Sequence, residues 1–427
     1  MVGLPARRFL KTPQMSRMTP TSSPTAQFTE TARLREISFL NLAHGLDHFV
    51  LLIYPTVVIG LELIYNRPYS ELIALSSTTF VAFGVFALPS GWLADRWSRR
   101  NMMAAFYLGC GVSLAAIGLA PNLTVLAVAM FALGIFAAIY HPVGMAMLIE
   151  ASGAKGRTLA FNGVCGNLGV SLAAGISAAL AYWVSWRAAF LAPAAISFAT
   201  GLVYLWLTPA DRHHAKTRQS VPAVPLTPRL AIMLFSLFIV IALSAGLTFN
   251  VLTIALPKIV DERLSSDLPL VLVGSIATAV LACGALAQLA VGRLVEYITP
   301  HMLFAIITGV GFLGNLWAAY ANGVSLLIAL AIAVAAIYGQ VTVNDMIMAR
   351  YTADAWRGRV YAVRYFLVFI SAGAAIGMIA LLHKTGGFTL VLNVNAMIAL
   401  LLFVATLGLV AMIVSVETKH RAAQPAE

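Results

Sequence analysis

Charged residues are scarce in this chain. Only 10% of its 427 residues are Asp, Glu, Lys or Arg, whereas a soluble domain carries about 25%. The shortage extends along the whole length, 60% of the residues are hydrophobic, and the mean hydropathy is +0.89. This composition excludes a soluble globular protein and predicts a body embedded in a lipid bilayer.

Cysteines and enzyme motifs are also few. Cys110, Cys165 and Cys283 lie in apolar stretches without CxxC spacing, which excludes a disulfide framework and a zinc-ribbon site. The sequence has no Walker loop and no nucleophile or metal triad of an enzyme. It therefore predicts a protein that is not an enzyme, has no cofactor and draws its energy from a gradient.

Apolar stretches long enough to cross a bilayer recur twelve times, because a crossing needs about 20 mostly apolar residues. They predict an all-α membrane protein with about 12 transmembrane helices in two six-helix halves. The predicted spans are 37–61, 71–92, 101–120, 123–149, 159–182, 187–208, 230–257, 269–291, 300–320, 323–348, 360–382 and 390–415.

The net charge of +11 is explained by topology. All but five of the 27 basic residues fall in the N-terminal tail and the even-numbered loops, as expected for cytoplasmic segments. Both termini are then cytoplasmic, and the charge predicts no nucleic-acid partner. The exceptions are Arg67, Arg187, Lys258, Arg263 and Lys384.

Polar segments and an internal repeat define the domain organisation. Residues 1–36 read as a cytoplasmic tail without a secretory signal, 37–208 and 230–415 as the two halves, 209–229 as a cytoplasmic linker, and 416–427 as a cytoplasmic tail. Segments of the first half recur in order about 200 residues later. The pairs are GWLAD at 91–95 with GRLVE at 292–296, AAIY at 137–140 with 335–338, and KGR at 155–157 with RGR at 357–359.

The loop sequence GWLADRWSRR at 91–100 resembles the signature of the major facilitator superfamily, except that Ser98 replaces a glycine. The resemblance implies a transporter of twelve helices that works as a monomer. It also implies that Asp95 faces the N-terminus of span eleven, where a helix dipole favours a carboxylate, and so takes part in gating. The basic residues of this gating loop are Arg96, Arg99 and Arg100.

A closer resemblance, to the fosmidomycin-resistance branch of that superfamily, covers the first half. It rests on His44 with IYP at 53–55, on YHP at 140–142 and on the GNxG segment at 166–169. This branch exports small organic drugs in exchange for protons across the bacterial inner membrane, which makes proton-coupled export the leading hypothesis. The chain is also similar to major facilitator proteins of magnetosome membranes, which implies iron transport as an alternative, across an inner membrane or one derived from it.

Span one carries an unusual polar stripe. Asn41, His44, Asp47, His48 and Tyr54 recur at helical spacing, and a carboxylate inside a bilayer needs a partner or a task. We expect Asp47 to carry a proton, with His44 and His48 as its partners. The alternatives are a structural polar cluster that fixes helix packing, and a metal site formed by the same three residues.

Four further polar residues are candidates for the substrate cavity, together with Asn41 and Tyr54. Pro142 should distort span four beside His141 and leave a carbonyl free. That histidine is expected to contact substrate or to take part in gating, and the alternative is a packing histidine with satisfied hydrogen bonds. The four candidates are His141, Asn167, Asn250 and Gln340.

Asp345, near the end of span ten, is expected to pair with a nearby arginine such as Arg359 or Arg364. The pair could act as a cytoplasmic gate latch, as static structure, or in proton coupling. A non-transporting sensor or assembly factor on the same fold is a third functional class, but such a protein has no need for an intramembrane Asp47. The expected partners are therefore a small-molecule or ion substrate, protons and the lipid bilayer.

Overall fold

The computed structural model describes residues 24–152, 156–208, 228–264, 267–351 and 354–422, and the regular elements within them are all helical. Most of the predicted linker, 209–227, lies outside the described residues. The helices are α1 (Pro24–Tyr65), α2 (Tyr69–Ala74), α3 (Ser77–Arg96), α4 (Arg99–Gly118), α5 (Leu123–Ala137), a π-helical turn (Tyr140–Gly144), α6 (Met145–Ser152), α7 (Gly156–Trp183), α8 (Ala188–Leu207), α9 (Pro228–Arg263), α10 (Leu270–Leu294), α11 (Pro300–Tyr320), α12 (Gly323–Tyr351) and α13 (Asp354–Ala422).

The helices confirm a fold of about twelve crossings. Eleven stretches in the described residues are long and apolar enough to span a bilayer, and the last of them, Phe366–Ser415, has 50 residues, enough for two crossings. Gly386 and Gly387 interrupt α13 with non-helical backbone angles, and Gly387 has a φ of +60°, which glycine adopts without steric cost. The chain therefore turns there between spans eleven and twelve.

The helix of span one begins earlier than predicted, at Pro24 instead of residue 37. Arg33 pairs with Glu30 one turn before it and donates to the carbonyl of Ala151, and Arg35 donates to that of Leu207. These bonds satisfy carbonyls at the ends of α6 and α8, which would otherwise lack partners. The extension of α1 is thus tied to the body of the first half.

The packing of the first half recurs in the second. Spans one and five (α1 and α7) pack closely, as do spans seven and eleven (α9 and α13). Spans two and four (α3 and α5) correspond in the same way to spans eight and ten (α10 and α12). The internal sequence repeat is therefore matched by a repeat in helix packing.

The two halves meet mainly along four helix pairs, which are α7 with α10, α3 with α13, α2 with α13, and α1 with α9. Within the first half, Gly169 of α7 lies against the backbone of Gly45 of α1, so a side chain at 169 would push these helices apart. This contact brings the polar stripe of α1 against α7.

Candidate functional site

Three imidazole rings form a triangle inside the first half. His44 and His48 lie one turn apart on α1, with ring centroids 5.0 Å apart, and His141 of the π-helical turn lies 5.4 Å from each. One ring nitrogen from each histidine lies within 4.8 Å of the others. We call these three residues the histidine cluster.

Asp47 adjoins this cluster and is fully buried. One of its carboxylate oxygens lies 3.3 Å from Nε2 of His141, within ion-pair distance. The expectation that His44 and His48 would be its nearest partners is corrected, because the neighbouring span four supplies the closest imidazole. Burying a carboxylate in a membrane is costly unless the charge is compensated or taken up by a proton.

The π-helical turn places His141 in the cluster. Pro142 has no backbone N–H to continue the α-helical pattern, and the chain takes the wider turn at Tyr140–Gly144. Such turns occur frequently at functional sites. The ring of Tyr140 stacks on that of His44 at a centroid distance of 4.9 Å. The π-helical turn therefore positions both Tyr140 and His141 against His44.

Asn162 of α7 connects the surrounding elements, and it is 1% exposed. Its side-chain oxygen accepts from the Tyr140 hydroxyl at 3.0 Å and lies 2.9 Å from Nδ1 of His44. Its side-chain nitrogen donates to Asn41 Oδ1 at 3.0 Å and to the carbonyl of Leu40 at 3.3 Å. Asn41 is thus joined to the cluster through Asn162.

The other predicted cavity residues lie elsewhere. Asn167 donates to Gln288 of α10 and so connects the two halves. Asn250 donates to Ser371 at 3.3 Å within the second half. Gln340 is buried in the same half, and its side-chain oxygen has no hydrogen-bond partner among the described residues. Tyr54 is buried, and its hydroxyl already donates a hydrogen bond to the carbonyl of Leu72 at 2.8 Å.

The signature loop makes contacts within its own half. Asp95 is 68% exposed and pairs with Arg99 at 3.0 Å, and Arg99 also pairs with Glu150 of α6 at 3.1 Å. Arg96 lies over the ring of Trp92, 4.3 Å from its centroid. Arg100 donates to the carbonyl of Thr208 at 2.8 Å. The described contact of Asp95 is with Arg99, and its expected contact with the start of span eleven stays a prediction, since the side chains of 349–362 lie outside the described residues.

Asp345 of α12 forms an ion pair with Arg364 of α13. Both residues belong to the second half, so the pair joins spans ten and eleven and does not bridge the two halves. Its gating role stays a prediction. The side chain of Arg359 lies outside the described residues.

A charged network at the end of the bundle away from the chain termini connects the two halves, and its residues are not among those predicted from the sequence. Lys258 of α9 pairs with Glu62 of α1, lies 2.9 Å from Asp261, and lies 3.5 Å from Glu262. His383 of α13 contacts Glu262 at 3.0 Å. The available signal was a lysine at the end of an apolar span with acids three and four residues later. We call these five residues the ion-pair network.

Comparisons with known proteins agree with this fold. The family model described as Major Facilitator Superfamily matches residues 37–364. A bacterial homologue of the human lysosomal transporter Spinster, solved in an inward-facing and unoccupied conformation, superposes with a TM-score of 0.70 at 13% identity. The match covers 92% of this chain and 96% of that chain.

Two further solved structures are similar. The same Spinster homologue in an inward-facing, occupied conformation gives a TM-score of 0.69 at 13% identity, over 92% of this chain and 96% of that one. A POT family transporter in complex with 5-aminolevulinic acid gives 0.67 at 15% identity, over 90% and 96%. At these identities the likeness concerns the fold alone. No curated protein sequence matches the chain significantly.

Proposed function

Since the chain belongs to the major facilitator superfamily and is a secondary transporter, we propose that it couples the movement of a small organic solute to protons by alternating access. Export of drug-like compounds is the favoured direction and substrate class, from the resemblance of the first half to the fosmidomycin-resistance branch. The basic loops favour cytoplasmic termini in a bacterial inner membrane. The fold is typical of a monomer.

The position of Asp47 carries the proposal. A carboxylate with 0% exposure, 3.3 Å from an imidazole nitrogen, is a group that a membrane helix does not retain without a task. An imidazole can accept and release a proton, so the histidine cluster would give Asp47 a path for gaining and losing one. Among the described residues, this site lies at the junction of spans one, four and five.

Alternating access requires that one face of the bundle opens when the other closes. The ion-pair network joins α1, α9 and α13 at the face away from the termini, and this favours closure there in the present state. At the opposite face Asp95 is mostly exposed.

The test is substrate-driven proton flux in proteoliposomes that contain a pH-sensitive dye. We expect a fosmidomycin-type phosphonate or another small drug to evoke flux that Asp47→Asn abolishes. Asp267→Asn is the matched control, since this acid lies exposed in the loop before α10. Proton flux that persists in Asp47→Asn removes Asp47 as the proton carrier. If none of the solutes in the panel evokes proton flux in wild type, the non-transporting sensor or assembly factor is favoured.

Transition-metal transport is the second candidate, favoured by the three imidazole nitrogens within 4.8 Å of one another. Neutral imidazoles bind divalent ions of the iron-to-zinc series, and a carboxylate behind one of them is a common supporting contact. In this case the metal ion is the cargo, and the histidines act as ligands instead of proton partners.

Metal binding separates the two candidates. If the ion is cargo, Fe(II) or Co(II) should bind the purified protein stoichiometrically, and His48→Gln should weaken binding by at least about tenfold. His301→Gln is the control, because His301 lies at the start of α11, outside the cluster. Equal binding to wild type and His48→Gln removes the metal candidate.

A further inference from the structure

His44 makes a contact that fixes where its proton lies. Nδ1 of His44 is 2.8 Å from the backbone carbonyl oxygen of Asn162 and 2.9 Å from its side-chain oxygen. A backbone carbonyl can only accept a hydrogen bond. Nδ1 therefore carries the hydrogen, and in the neutral ring Nε2 is left with a free lone pair.

The surrounding bonds agree with this assignment. The Asn162 side-chain oxygen also accepts from the Tyr140 hydroxyl at 3.0 Å, while its nitrogen donates to Asn41 and Leu40. If the Asn162 amide were flipped, its NH2 group would face the Tyr140 hydroxyl and Nδ1 of His44. Its oxygen would then face the Leu40 carbonyl oxygen and Asn41 Oδ1. One orientation of Asn162 thus satisfies all of its neighbours.

Gly166, one helical turn after Asn162, provides the space for the ring. A Cβ atom at position 166 would lie 2.6 Å from Nε2 of His44, closer than atoms pack. At Gly163, on the same helix, an added Cβ atom would meet nothing within 4 Å. A side chain at 166 would therefore displace the His44 ring, whereas one at 163 would find open space.

We propose that Asn162 and Gly166 of span five are positioning residues for His44, holding it as the Nδ1–H tautomer so that its Nε2, on the ring edge next to Gly166, keeps a basic lone pair within the histidine cluster. The bond to Asn162 fixes the tautomer and one edge of the ring, and Gly166 leaves room for the other edge. The lone pair is then available to accept a proton from His48 or His141. The effect of this tautomer on proton transport rests on the proposed function, whereas the assignment of the tautomer itself does not.

The experiment is nitrogen NMR of protein labelled in its histidines, in lipid bilayers, with His44 assigned by loss of its signals in His44→Gln. We expect a protonated Nδ1 and a bare Nε2 in wild type. Asn162→Asp keeps the shape of the side chain and sets a carboxylate against Nδ1, which favours the charged ring. His44 should then carry a second proton at a pH where the wild-type ring carries one.

Gly166→Ala and Gly163→Ala are a matched pair of variants that tests whether Gly166 positions the His44 ring. Gly166→Ala should shift the His44 signals and lower substrate-driven proton flux by at least about tenfold, while Gly163→Ala leaves both unchanged. A wild-type His44 protonated at Nε2, or signals unaltered by Asn162→Asp and Gly166→Ala, overturns the proposal. Expected signals with no proton flux in wild type would instead leave the positioning intact and contradict the proposed function.

Discussion

Phe369 of α13 places its ring 4.9 Å from that of His141, so the second half of the protein directly touches the histidine cluster of the first. Phe83 of α3 packs beside both rings, with its centroid 4.8 Å from that of Phe369 and 6.2 Å from that of His141. Movement of one half relative to the other would therefore change the surroundings of His141. This contact is a direct way for domain movement and protonation to be linked.

Phe369→Ala should uncouple proton movement from solute movement. Removing the ring opens the cluster to water, so we expect a proton leak in the absence of solute, several-fold above that of wild type. Phe369→Leu retains most of the apolar volume and should leak less. Internal pH of proteoliposomes under an imposed proton gradient measures the leak.

Phe131→Ala is the control for this substitution, because Phe131 lies on the outer surface of α5 and is 40% exposed. A leak in Phe131→Ala equal to that in Phe369→Ala would show general membrane damage and contradict a specific role for the Phe369 ring.

Lys258→Gln should favour opening at the end that carries the ion-pair network. The substitution leaves Glu62, Asp261 and Glu262 without their shared cation, and removing one member of a largely buried ion pair costs up to about 3–5 kcal/mol. A loss of about 1.4 kcal/mol from the closed state already shifts the ratio of states tenfold. The distance between spin labels at positions 67 and 267, with the native cysteines replaced by alanine, reports this opening.

The matched control is Lys384→Gln, which removes a lysine from the neighbouring turn of α13. We expect an added population with longer label distances in Lys258→Gln and a wild-type distribution in Lys384→Gln. Identical distributions in all three proteins would rule out the network as a determinant of closure.

Asp345 and Arg364 should show strong coupling in stability. Either Asp345→Asn or Arg364→Gln alone breaks this ion pair and leaves one of its charges in place, which is more costly than removing both charges together. We expect each single variant to lower the thermal unfolding midpoint more than the double variant does. Additive effects of the two substitutions, measured in the same detergent, would argue against a direct interaction.

Gly169→Ala should weaken the contact between spans one and five. Its Cβ atom would collide with the backbone of Gly45, and overpacking of this kind costs about 1–3 kcal/mol. We expect a lower unfolding midpoint for Gly169→Ala and an unchanged or slightly higher one for Gly163→Ala, since alanine favours helix. An equal midpoint for both variants would contradict close packing at Gly169.

The sequence predicts the helices well because the bilayer imposes both their length and their composition. The crossings, the distortion of span four next to Pro142 and the similarity of the two halves follow from local patterns. Helix ends are less predictable, since α1 extends to Pro24 through contacts of Arg33 and Arg35 with distant carbonyls. Those contacts depend on the assembled bundle.

The site is less predictable for the same reason. Helical spacing places Asp47 near His44 and His48, but which neighbouring helix faces the carboxylate is decided by packing, and this brings His141 to it. Lys258 and Glu62 are 196 residues apart in the chain, and no local pattern connects them. Tyr54 lies on the predicted stripe, yet the break between α2 and α3 brings the carbonyl of Leu72 to its hydroxyl.

The most direct test of Asp47 as the proton carrier compares two activities of Asp47→Asn, using the solute that evokes flux in wild type. Exchange of labelled for unlabelled solute across the membrane needs the conformational cycle but no net proton movement. We predict that Asp47→Asn keeps this exchange and loses solute-driven proton flux. Proton flux at the wild-type ratio of protons to solute in Asp47→Asn would contradict the central role of this carboxylate.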